Sequence, residues 1–128
     1  MKVDRLDDEE VAILERRRDE IRREIAGLGD LRPGSLVERY RRCGKPGCHC
    51  MREGERGHGP TWSLTRSLAG RTVTRVVAQG RGVDLTRAHL AEYRRLRRLL
   101  SEFLDLSKRL CEVRLHAAQG NPATRDEA

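Results

Sequence analysis

Cys43-Gly44-Lys45-Pro46-Gly47-Cys48-His49-Cys50, followed by Gly57-His58-Gly59-Pro60, decides how the rest of the chain is read. Three of the four cysteines lie in the first of these segments, and with His58 they form the spacing C-x4-C-x-C-x7-H. Thiolates with an imidazole suit a borderline-soft ion such as zinc, which takes four such ligands in a closed tetrahedral site. Gly44, Pro46 and Gly47 permit a turn tight enough for Cys43 and Cys48 to face one ion. The predicted ligands are Cys43, Cys48, Cys50 and His58. Cys111 stands as the alternative fourth ligand, and iron as the alternative to zinc. His49, between two ligand cysteines, is expected to point away from them.

Charge gathers around this knot. The chain carries a net +7, yet residues 1–30 hold seven basic against ten acidic side chains. Residues 39–81 hold ten basic against two acidic ones, Glu53 and Glu55. A basic patch confined to one module is the electrostatic footprint of a surface that meets phosphate backbones. The residues expected to do so are Arg39, Arg41, Arg42, Lys45, Arg52, Arg66, Arg71 and Arg75.

Outward from the knot, the flanking segments have recognisable periods. On its N-terminal side, Ser35 to Arg42 reads as a short helical turn or a strand, and Ser35 with Glu38 fits a capping box. Earlier still, Val11, Ile13, Leu14, Ile21, Ile25 and Leu28 recur at helical spacing, and Asp4 or Asp7 can cap the start. Gly27, Gly29 and Arg32-Pro33-Gly34 end that helix. On the C-terminal side, Thr61 to Leu68 alternates, Ala69-Gly70 makes a two-residue turn, and Arg71 to Val77 returns as a β-hairpin. In that register Trp62, Leu64, Arg66 and Leu68 share a face with Arg71, Val73, Arg75 and Val77. Trp62 is read as core packing in preference to a platform for stacking a base.

The longest pattern comes last. Tyr93, Leu96, Leu100, Phe103, Ser107, Leu110, Arg114 and Ala117 recur at threes and fours, with Leu99, Leu106 and Val113 as a flanking stripe. A helix capped by Thr86 or Asp84 and stopped by Gly120-Asn121-Pro122 follows. Such a helix needs a partner, either the N-terminal helix or a second copy of the chain.

The resulting fold is α+β and mainly α: two long antiparallel, coiled-coil-like helices flanking a small zinc knot and a β-hairpin. Its parts are an amphipathic helix over 1–30, the knot and hairpin over 34–80, the long helix over 84–119 and a disordered tail over 120–128. With 37% charged residues and few aromatics, the chain has thin apolar seams rather than a large core. No apolar run approaches a membrane span, and the N-terminus lacks the apolar stretch of a secretory signal. A cytoplasmic setting is expected, where a dense cysteine cluster is more often a metal site than a disulfide framework.

The segment Gly34 to Cys50, with His58-Gly59-Pro60 and Leu64-Thr65, resembles a family of short uncharacterised bacterial proteins. Its members share CGKPxCxC, HGP, a Tyr/Trp-rich strand and a long C-terminal helix, and many are encoded near transposable elements. The resemblance implies metal binding and a mobile-element context, and no reaction. Only Trp62 stands here where the family strand carries several aromatics.

Catalysis is not expected. The H-x-E and P-C-x-x-C order of zinc deaminases is missing, as are a nucleotide-binding glycine loop and a carboxylate cluster. The expected function is therefore a zinc-stabilised accessory protein that binds nucleic acid, DNA rather than RNA. One alternative is a homodimeric adaptor, joined through the long helices, whose knot docks a recombinase or other protein. Another is a redox- or metal-responsive regulator, because thiolates oxidise and release zinc.

Overall fold

The computed structural model describes residues 6–120, so a cap at Asp4 and all but Gly120 of the tail expected over 120–128 lie outside the described residues. The elements are α1 (Asp8–Ala26), β1 (Ser35–Arg41), β2 (His58–Leu68), β3 (Arg71–Val77) and α2 (Arg81–Gln119), with a single 3-10 turn at His49–Met51 between β1 and β2. Contacts divide them into a helical unit, built from residues up to 28 and from 95 onward, and a sheet unit over 29–94. The chain is α+β, and α2 contributes to both units. No helix among the described residues is long and apolar enough to cross a membrane.

In the helical unit, Asp7 caps α1 by accepting a hydrogen bond from the Glu10 N–H at 2.8 Å. Asp8, Glu9 and Glu10 lie in the first turn, where they favour the positive end of the helix dipole. Leu14 and Ile21 of α1 are buried with Leu99, Leu106 and Leu110 of α2, and Phe103, Val11, Ile25 and Leu28 pack around them. The helices run antiparallel: Arg114 pairs with Glu15, Arg17 with Glu102 and Arg95 with Glu24.

Two expectations about α2 need correcting. Its buried stripe is Leu99, Leu106 and Leu110 with Phe103, while Leu100, expected in the central seam, is 41% exposed. Leu99, Phe103, Leu106 and Leu110 are spaced four, three and four. They therefore form one continuous stripe of the width that α1 can cover, without Ser107 or Arg114. The helix also starts at Arg81, ahead of both proposed caps. Thr86 lies inside it, where its hydroxyl donates to the Gly82 carbonyl at 2.8 Å.

The sheet unit is a three-stranded antiparallel sheet in the order β1-β2-β3. Ser35 to Arg41 is a strand, and its capping-box reading fails because the segment's polar groups serve a ladder with β2. The β2–β3 register is the one expected from the alternation, from Leu68 opposite Arg71 to Trp62 opposite Val77. Leu36 opposite Leu64 and Glu38 opposite Trp62 extend that face into β1. The first turns of α2 lie over it: the Arg87 guanidinium stands 4.9 Å from the centre of the Trp62 ring, and Leu64, Val83, Thr86 and Leu90 are buried. Trp62 therefore has a cation on its face rather than an open stacking surface. The other face carries Ser35, Thr61, Ser63, Thr65, Ser67, Thr72 and Thr74.

Candidate metal centre

The knot is assembled from both sides of the β1–β2 connection. Cys43 follows the end of β1, Cys48 and Cys50 flank the start of the 3-10 turn, and His58 is the first residue of β2. The Cys48 N–H bonds to the Lys45 carbonyl at 3.0 Å, and the Met51 N–H to the Cys48 carbonyl at 3.0 Å, so two successive turns fold the segment back. Cys50 ends fully buried, while Cys48 is half-buried and Cys43 and His58 are exposed.

Two glycines around His58 bring the strands together. A Cβ on Gly57 would stand 2.5–2.7 Å from the backbone of Arg41. Gly59 has φ +143°, and a Cβ there would meet the Arg39 carbonyl oxygen at 2.7 Å. Any side chain at these positions pushes β1 away from the start of β2. The ladder shifts register between Arg39 and Arg41, and Arg41 lies opposite His58. Pro60, preceded by a cis peptide bond, has no N–H to offer at this irregularity. The sequence shows both glycines, but their role depends on a backbone approach from β1 that no local pattern reveals.

The four donor atoms of Cys43, Cys48, Cys50 and His58 all lie within 4.8 Å of one another. The Cys43 and Cys50 sulfurs are 3.4 Å apart, and the Cys48 sulfur is 3.0 Å from His58 Nε2. Tetrahedral coordination with Zn–S of ~2.3 Å places its donors roughly 3.8 Å apart, so a small adjustment seats one ion. Cys111, the other candidate for the fourth ligand, is exposed on α2 and does not belong to this group. His49 does not point away from the group as expected. Its ring meets His58 edge-on with centroids 5.2 Å apart, and its Nδ1 lies 3.9 Å from the Cys48 sulfur.

The electrostatics suit a cation. The Lys45 N–H, followed by hydrogen bonds from Cys50 and His58, stabilises the Cys43 thiolate and lowers its pKa to about 6. At Cys50 the Cys43 N–H also favours the thiolate, at 3.4 Å, but burial and the neighbouring Cys43 and Cys48 sulfurs outweigh it and raise the pKa. Crowding several sulfurs penalises ionising all of them unless a positive ion sits among them. The group is close enough to hold a metal ion, and its three thiolates and one imidazole match the donors of structural zinc sites.

Residues 11–87 match the family described as "Domain of unknown function (DUF6788)". The chain belongs to this family. The DUF6788 region runs from within α1 through all three strands up to Arg87 in α2, so it contains all four clustered donors. No curated protein and no solved structure matches the chain.

The basic residues predicted around the DUF6788 knot are all exposed. They do not share one surface of the sheet. Arg66, Arg71 and Arg75 belong to the face that includes Trp62, whereas Arg39 pairs with Thr61 on the opposite face. Arg41 lies at the irregular end of β1, and Arg42, Lys45 and Arg52 lie in the knot's connections. Arg56, outside the predicted set, donates to the Tyr40 hydroxyl at 2.9 Å and stacks on its ring.

Proposed function

We propose that the protein is a zinc-stabilised nucleic-acid-binding accessory factor whose basic sheet unit grips phosphate backbones, with DNA as its target. The observation that carries this reading is the state of eight basic side chains. Arg39, Arg41, Arg42, Lys45, Arg52, Arg66, Arg71 and Arg75 are exposed, and among the described residues none has a carboxylate partner. Zinc bound by Cys43, Cys48, Cys50 and His58 would hold the loops that present them. Phosphate contacts of this kind supply affinity and register without reading sequence. A cytoplasmic setting, which keeps the thiols reduced, and a role beside mobile elements complete the proposal.

Fluorescence anisotropy with labelled DNA and RNA duplexes tests it. The expected result is binding to DNA of any sequence that weakens steeply as salt rises. Absence of binding at low salt, or binding indifferent to salt, refutes it.

A second reading has its own observation. Leu100, Leu104 and Leu115 of α2 are 41%, 54% and 49% exposed, apolar side chains that a second helix could cover. They favour a homodimer joined in coiled-coil fashion through α2, which acts as an adaptor for a recombinase-type partner. Sedimentation of the purified chain decides this: a monomer at micromolar concentration removes the dimer.

A further inference from the structure

α2 carries two apolar stripes, and α1 covers only one of them. Leu99, Phe103, Leu106 and Leu110 pack with Leu14 and Ile21 of α1. Leu100, Leu104, Cys111 and Leu115 are all exposed. At ~3.6 residues per turn these four fall within about 60° of arc, centred roughly 120° around the helix from the covered stripe.

The exposed stripe reads the same in both directions, with its members separated by four, seven and four positions. Its midpoint lies between Ser107 and Lys108. A pattern symmetric about its midpoint matches itself when a second copy is laid against it antiparallel, about a twofold axis. In that register Leu100 meets the partner's Leu115, and Leu104 meets the partner's Cys111. Lys108 meets the partner's Ser107, and Arg97 meets the partner's Ala118. A parallel pairing in register sets Arg97 and Lys108 each against its own copy, and like charges brought together in this way are costly. The antiparallel overlap also has a natural limit. α2 ends at Gln119, which falls opposite the partner's Leu96, so the overlap uses only the part of α2 that belongs to the helical unit. We propose that two copies of the chain dimerise antiparallel through this stripe, with Leu100 on the partner's Leu115 and Leu104 on the partner's Cys111. Such a dimer rests on the homodimer reading; its orientation, its register and the burial of Cys111 go beyond it.

Leu104→Cys in the full metal-loaded chain tests the register. Within one helix, positions 104 and 111 stand ~10 Å apart along the axis, too far for a bridge inside one chain. Across the twofold they are opposite each other. Mild oxidation with diamide should therefore give a covalent dimer, and peptide mass spectrometry should place its links between position 104 of one copy and Cys111 of the other. Adding Cys111→Ser should abolish the links. The unsubstituted chain should not join through Cys111, because each Cys111 is displaced from its copy by ~10 Å along the axis. Leu104→Lys should weaken dimerisation roughly a hundredfold in sedimentation, because both copies lose a buried leucine. Links from position 104 to its own copy, or from Cys111 to its own copy, overturn the antiparallel register and keep the homodimer reading. So does a dimer that Leu104→Lys weakens but oxidation fails to link between 104 and 111. A dimer indifferent to Leu104→Lys overturns the contact through α2, and a monomer overturns both the contact and the homodimer reading.

Discussion

Arg17 in the helical unit touches three carboxylates, Glu20, Glu24 and Glu102, with paired contacts of 2.6 and 2.8 Å to Glu102. Arg42 in the sheet unit reaches only the main-chain oxygen of Glu55, at 3.5 Å. All the ion pairs described above lie in the helical unit, where Arg22, Arg95 and Arg114 also have acidic partners. Arg17, Arg18, Arg22, Arg95 and Arg114 of the helical unit are each paired with a carboxylate, so their field is partly cancelled a short distance from the surface. Those of the sheet unit project an uncancelled positive field, which is what a phosphate-binding surface requires. The two units differ in cohesion as well. The helical unit has a seam of buried leucines around Ile21, while the sheet unit buries only Leu64, Val83 and Leu90 besides Cys50 among its apolar side chains. A core that small is marginal unless a metal ion adds to it.

The largest expected effect attacks the cohesion of the sheet unit. Chelation, or Cys50→Ser, should release one metal ion per chain, detected by elemental analysis, and collapse the amide dispersion of residues 35–77. Structural zinc contributes on the order of 10 kcal/mol in small zinc domains, comparable to the whole stability of a domain. The α-helical circular dichroism of the helical unit should largely survive. Simultaneous loss of both signals would show that the units are not separately held.

Ile21→Ala is the counterpart in the helical unit. Ile21 is 0% exposed, so truncation should cost about 2–5 kcal/mol in thermal unfolding and leave the metal content unchanged.

Next come the arginines themselves. Arg41→Glu with Arg42→Glu should weaken DNA binding for every sequence and lower the slope of log K against log salt by about two or more, with little change in Tm. Arg17→Ala should do the opposite, lowering Tm by a few degrees and leaving the salt slope intact. A reversal of these outcomes would break the contrast between paired and unpaired arginines.

The smallest effect is a pH dependence. The hydrogen bonds from Arg17 hold the Glu102 carboxyl below its ordinary range. A depressed folded-state value means that the stabilisation is fully present above the unfolded value of about 4.3 and fades as pH falls through the lower folded value. Urea titrations at pH 7 and at successively lower pH should show this acid-side loss in the native chain. In Arg17→Ala that component should be missing.

Local chemistry made several features readable before folding was considered. The C-x4-C-x-C-x7-H spacing identified four donors that lie together, because short loops alone keep cysteines and a nearby histidine within reach of one ion. The alternation of Thr61 to Val77 carried the hairpin register, because a two-residue turn couples neighbouring strands directly. Asp7 and Gly27 mark the ends of α1 through bonds to residues three or four positions away.

What could not be read depends on partners distant in sequence. Ser35 to Arg41 became a strand because β2, beginning at His58, pairs with it, and nothing within the segment excludes a helical turn. Leu99 rather than Leu100 is buried because α1 covers one stripe of α2, a choice between adjacent faces that the leucine-rich pattern leaves open. The division of the arginines has the same origin. Composition and spacing determined that the chain would gather thiolates, an imidazole and excess positive charge in its middle. Only tertiary contacts decided which arginines meet a carboxylate and which face water, because an ion pair needs its partner within about 4 Å in space, not in sequence.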